Sequence, residues 1–122
     1  DACLASPAHT PGTITVGATD WNDQRAVESN WSSNWGSCVD LWAPGRQITS
    51  ASHLTITGTA VMGGTSMASP HVAGAAAIYL SAFPTATPAT VRSVIVNTAT
   101  VNLLTGIGTS SPNKLLYSLM QY

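Results

Sequence analysis

The stretch GGTSMASPHVAGAAAIYL, residues 63–80, sets one serine behind two glycines and ahead of a run of small apolar residues. Read as a helix beginning near Thr65, it places Ser66 at the helix N-terminus. There the first backbone N–H groups have no partner inside the helix, and the aligned peptide dipoles favour an anion. An acyl-transfer nucleophile needs such a setting, because the oxyanion formed when its oxygen adds to a carbonyl must meet fixed donors. Gly63 and Gly64 keep side chains out of the approach, and Ala68 and Ser69 are small enough to let the helix lie close to a strand. The simpler reading is that Ser66 only caps the helix, the commonest task of serine at that position. Local physics leaves both readings open.

A serine nucleophile also needs a base, and without one it is weak. His71 lies five residues further on, about 140° around an α-helix and roughly 7.5 Å along its axis. The two side chains diverge, so His71 is read as a satisfied, partly buried histidine. The other histidines, His9 and His53, fall in a loop and a hairpin and are read as surface residues.

The elements that must position Ser66 follow from local patterns. TITVGAT (residues 13–19) alternates β-branched residues and predicts a strand. CVDLWAPG (38–45) predicts a second, stopped by Pro44-Gly45, and RQITSA a short third. Residues 53–62 carry Thr, Ile and Val on both sides of Gly58 and predict a hairpin. The serine helix follows, capped by Thr65 or Ser66, with Pro70 in its first turn, where a missing N–H costs little, and Pro84 as its stop. TPATVRSVIVNTA predicts a second helix with Thr87 as cap, Pro88 at the first position and an apolar stripe of Val91, Val94 and Ile95. SPNKLLYSLM predicts a third, capped by Asn113. The residues from Ala73 to Ala77 are apolar on nearly every side, which predicts burial all round. The strands suit the interior of a larger sheet. About 120 residues hardly cover both, so the chain is expected to pack against more protein than it contains.

Composition narrows the function classes. The 122 residues fit one small domain, with 44 % hydrophobic residues. Only 7 % are charged, against about a quarter in an ordinary globular protein. A formal net charge of −1 offers no basic face for nucleic acid. The apolar run from Val72 to Leu80 is too short to span a bilayer. The first residues lack a secretory-signal pattern, and there is no initiator Met, so the chain is read as a processed product or a fragment. Cys3 and Cys38 are either two free thiols or one disulfide. The disulfide would imply an oxidising compartment and would contribute about 4 kcal/mol on the chain-entropy model. In AVESNWSSNWGS, Trp31 and Trp35 either form an exposed ligand-binding patch or pack under their own loop. Asn30-Trp31-Ser32 matches the glycosylation triplet, which is frequent by chance.

GTSMASPHVAG, Gly64 to Gly74, closely resembles the nucleophile motif of subtilisin-like serine peptidases (peptidase S8). DACLASPA resembles the stretch just after the oxyanion asparagine of the proteinase K-like branch. TITVGAT resembles its central strand, CVDLWAPG the strand and turn that follow, and GIGTSSPNKLLYSLM its closing segment. The resemblance spans nearly the whole chain but less than half of the family's catalytic domain. It departs at Gly63, a position often polar in relatives, and in the Trp31–Trp35 loop, which looks a few residues longer.

The resemblance implies an α/β fold. Residues 1–122 would be the C-terminal portion of a three-layer α/β/α domain with a mainly parallel sheet, a buried nucleophile helix, a β-hairpin and two further helices. It implies Ser66 as nucleophile of a serine endopeptidase, with its backbone N–H in the oxyanion hole. The family's His and Asp precede the serine in chain order. Neither of their motifs occurs here, and the oxyanion Asn would lie before Asp1. The isolated chain is therefore expected to be inactive and to need an N-terminal portion of the same peptidase as partner. Leu4 and Ala5 are implied at a wall of the substrate pocket. A structural calcium is implied on the carbonyls of Pro11 and Thr13 and the carboxylate of Asp40. A Cys3–Cys38 disulfide, secretion, polypeptide substrates and a pro-peptide inhibitor are implied as well, with no nucleic-acid or membrane partner. A different class stays open: a non-catalytic binding or scaffolding module descended from such a peptidase.

Overall fold

The computed structural model describes residues 1–118. A short 3-10 turn, Ala2–Leu4, leads through a loop to β1, Val16–Thr19. Then come β2 (Leu41–Pro44), β3 (Ile48–Ala51), β4 (Thr59–Met62), α1 (Thr65–Ala82), α2 (Pro88–Thr98), β5 (Thr100–Val101) and β6 (Lys114–Leu115). Four strands form one sheet in the order β1-β2-β6-β5, parallel except for the β5–β6 pair. β3 and β4 form a separate antiparallel ribbon. The mainly parallel α/β architecture is the expected one.

β2 shows why its sequence reads as a continuous apolar run. Leu41 and Ala43 pack on the helix side with Ala18, Ala68, Val72, Val91 and Ile95. Trp42 points the other way, against Ala2, Val39 and Leu104. A strand buried on both faces has no polar side to alternate with. Trp42 is fully buried, and its indole N–H donates to the Pro112 carbonyl at 2.9 Å. The ring fills the space a side chain on Gly17, its partner across the pair, would need.

α1 lies on β1 and β2 and against α2. It buries Ala68, Val72 and Ala75, so small side chains set the close approach of helix to sheet. Its other side is open: Ile78 is 48 % and Leu80 37 % exposed. The expected all-round burial is therefore only half met, because nothing among the described residues covers that side. α2 forms as predicted. The Thr87 hydroxyl accepts the Thr90 N–H at 3.2 Å, Pro88 follows, and Val91 and Ile95 are buried.

Four expectations need correction. The cap of α1 is Gly64, with no side-chain cap bond, rather than Thr65 or Ser66. Its φ of 149° is one that glycine adopts without strain. Pro70 consequently falls in the second turn, inside the helix. It can give no N–H to the Ser66 carbonyl one turn back. The hairpin is not folded within residues 53–62: β4 pairs with β3, Ile48 opposite Met62, and residues 52–58 are the connecting loop. Asn113 caps no helix. Its side chain bonds Leu104 twice, accepting the N–H at 2.9 Å and donating to the carbonyl at 2.8 Å, and Lys114–Leu115 is a strand between β2 and β5. Long-range pairing there overrides a local cap signal. The end of the expected third helix, from residue 119 on, lies outside the described residues.

Candidate active site

Ser66 is the second residue of α1 and is exposed. The Gly64 carbonyl takes the first helical bonds, from the N–H of Met67 at 3.0 Å and of Ala68 at 3.4 Å. The N–H groups of Thr65 and Ser66 thus point out of the helix end, with no acceptor among the described residues. The Ser66 hydroxyl likewise makes no hydrogen bond there. It lies between two open depressions of about 340 Å³ each. Thr49, Ser50, Pro70 and His71 line one, and Pro7, Ala8, Thr15, Thr65 and Ser69 line the other. An exposed hydroxyl, two amide groups without acceptors among the described residues and two open depressions meet at one residue.

The turn before Ser66 is held from behind. The Gly64 N–H donates to the Gly45 carbonyl at 2.7 Å, and the Gly45 N–H to the Thr19 carbonyl at 2.9 Å. The ends of β1 and β2 therefore fix where α1 begins. Arg46 adds a clamp, its Nε donating to Glu28 at 2.6 Å with Asp20 at 3.6 Å from its Nη1. Sequence patterns missed this arrangement, since its partners lie far apart along the chain.

None of the three histidines hydrogen-bonds Ser66. His71 is exposed rather than partly buried, and its Nδ1 lies 2.8 Å from the Met67 carbonyl, one turn back on the same helix. His9 pairs with the Ala5 carbonyl at 2.9 Å, and His53 is exposed. Leu4 is 88 % exposed, and Ala5 ends the 3-10 turn. Neither lines either of the two depressions described above; Pro7 and Ala8, just after them, line one.

Asp40 sits beside the loop that enters β1. Its Oδ2 accepts the Thr15 N–H at 2.8 Å, and its Oδ1 pairs with Arg92. The carbonyls of Pro11 and Thr13 accept no hydrogen bond among the described residues. Backbone carbonyls and a carboxylate are hard oxygen donors of the kind calcium takes. Arg92 shares that carboxylate. Among the described residues no three His, Cys, Asp or Glu side chains cluster as a metal site. Cys3 and Cys38 form a disulfide, their Cα atoms 5.2 Å apart. Trp31 and Trp35 are half-buried and pack into the two cores rather than forming an exposed patch.

The chain resembles known proteins along nearly its whole length. A family model described as the subtilase family matches residues 1–115. The chain is 52 % identical to an extracellular serine proteinase of Thermus sp. (strain Rt41A), over 97 % of this chain and 28 % of that protein. It is 47 % identical to alkaline serine exoprotease A of Vibrio alginolyticus, over 98 % of this chain and 21 % of that protein. The crystal structure of a cold adapted subtilisin-like serine proteinase superposes with a TM-score of 0.90 at 45 % identity. That match covers 99 % of this chain and 42 % of the other. The chain thus spans between a fifth and a third of the length of these two proteinases.

Proposed function

The chain belongs to the subtilase family, and from that footing we propose that it is the C-terminal part of the catalytic domain of a secreted serine endopeptidase of the proteinase K-like branch. The observation that carries the reading is the placement of Ser66. Its hydroxyl is exposed at the start of α1 beside two unengaged backbone N–H groups. In the proposed reaction the Ser66 oxygen adds to the carbonyl carbon of a peptide bond. Its proton passes to a histidine, oriented by an aspartate, both supplied by an N-terminal portion of the same peptidase. The carbonyl oxygen becomes an oxyanion, met by the Ser66 N–H and an asparagine from that same portion. Collapse breaks the C–N bond, the histidine returns the proton to the leaving amine, and water then hydrolyses the ester on Ser66.

The exposed side of α1, with Ile78 and Leu80, is where that N-terminal portion would pack. Several further features accompany the reading. Calcium would be held by the carbonyls of Pro11 and Thr13 and by Asp40, and when bound it would tie the loop before β1 to the start of β2. Leu4 and Ala5 would stand at the outer wall of the substrate groove. A pro-peptide would occupy the groove before maturation. Secretion is supported by the disulfide, which suits an oxidising compartment, and by relatives named as extracellular. No helix among the described residues is long and apolar enough to cross a membrane.

The test is labelling of the full-length protein with a peptidyl phosphonate, followed by peptide mass mapping. The label should sit on Ser66, and Ser66→Ala should cut turnover by about 10⁶-fold, the loss known for the nucleophile of subtilisin itself. A full-length protein that is not labelled and cleaves no peptide would instead be a non-catalytic module.

A further inference from the structure

We propose that Trp31 is a positioning residue for Ser66, acting through Gly63; the proposal rests on the reading of Ser66 as a nucleophile. A side chain on Gly63 would begin 3.1 Å from Trp31 Cζ2, tighter than ordinary contact. The backbone of Gly63 is not in the positive-φ region, unlike that of Gly64. What crowds a side chain at 63 is therefore the indole and not a positive φ. The ring edge stands in tight contact with the point where a side chain would begin, at the residue before Gly64.

Trp31 is itself firmly placed. It packs against the core of Ala18, Ala43 and Ala68, and its carbonyl accepts the Glu28 N–H at 2.7 Å. Ser33, two residues on, is buried; its hydroxyl accepts the Ala18 N–H at 2.9 Å, and its own N–H donates to the Ala26 carbonyl at 2.9 Å. Glu28 is bound in turn by Arg46, the neighbour of Gly45. The loop is thus stitched to β1 on one side and to the end of β2 on the other. Two adjacent glycines left alone have many backbone states open to them. Between the Trp31 ring and the Gly45 carbonyl, Gly63-Gly64 has little room to change course, and the direction of the Ser66 N–H and hydroxyl follows from that course. The Trp31 loop and the glycine at 63 are two halves of one device.

The test uses the full-length protein and the second-order rate at which a peptidyl phosphonate labels Ser66, read beside the thermal midpoint. W31A should slow labelling about tenfold, within the range that small misplacements of reacting groups produce, and W31F should keep most of the rate. G63S should slow labelling by a similar factor when Trp31 is present. In W31A it should change the rate by no more than about twofold, because residues in contact do not act additively. W31L takes the place of W31A if the latter does not fold. Equal loss from G63S with and without Trp31, or wild-type labelling in W31A or W31L, overturns the proposal and leaves Ser66 a nucleophile. A wild-type protein that takes no label overturns both.

Discussion

The N–H of Gly64 donates to the carbonyl of Gly45 at 2.7 Å, joining the residue that caps α1 to the one that follows β2. A side chain on Gly45 would start 2.5 Å from the Ala18 Cβ and 2.8 Å from the Gly64 carbonyl oxygen. Gly45→Ala must therefore push β1 and the head of α1 apart. The expected cost is about 1–3 kcal/mol, as for other overpacked sites, with slower phosphonate labelling of Ser66. Thermal denaturation and labelling of the full-length variant check both, and an unchanged pair of values would refute the tie.

The disulfide joins residues 35 apart in sequence. Loop-closure entropy predicts that replacing both cysteines with serine lowers stability by about 4 kcal/mol. The denaturation midpoint of the double variant against wild type measures it. A midpoint that does not move would show that the Ala2–Leu4 turn stays docked through the Ala2 N–H bond to the Trp35 carbonyl and its packing alone.

Asn113 stands in for a strand by bonding both backbone groups of the buried Leu104. Asn113→Ala leaves that N–H and carbonyl without their partner. Each unsatisfied group costs about 1–3 kcal/mol, and the loss should appear as a lower denaturation midpoint with little change in labelling rate, since Ser66 lies elsewhere. Asn113→Asp should recover part of it, because a carboxylate can still accept the Leu104 N–H.

If calcium is bound at Pro11, Thr13 and Asp40, chelation should lower the temperature at which the full-length protein inactivates. Asp40→Asn should lower it in calcium buffer and remove most of the response to chelator. A response that survives intact in the Asp40 variant places the ion elsewhere.

What the sequence disclosed depended on the range of the forces involved. β1, β2 and α2 were legible because their signals are local: alternation before Thr19, the Pro44-Gly45 stop, and the Thr87-Pro88 start. Ser66 was legible as a helix-head serine for the same reason. The cap itself was misread, since Gly64 satisfies no side-chain rule and acts through a backbone angle. The Asn113 segment looked like a helix start because Asn followed by an apolar run is the local cap signal. Only the pairing of β6 with β2 and β5 shows otherwise. The approach of Trp31 to Gly63 spans about a quarter of the described chain, from a loop to the head of the helix, and no periodicity announces it.

The two sides of β2 carry very different bulk: an indole on one, a leucine and an alanine on the other. The pit that takes the indole exists only opposite a residue without a side chain. If β2 slid by one position along β1, the ring would be driven into the tightly spaced layer under α1, and the pit would be left empty. The sheet therefore has one reading frame, enforced by a single bulky residue. The chain end that receives α1 inherits its accuracy from a misfit on the far side of the sheet.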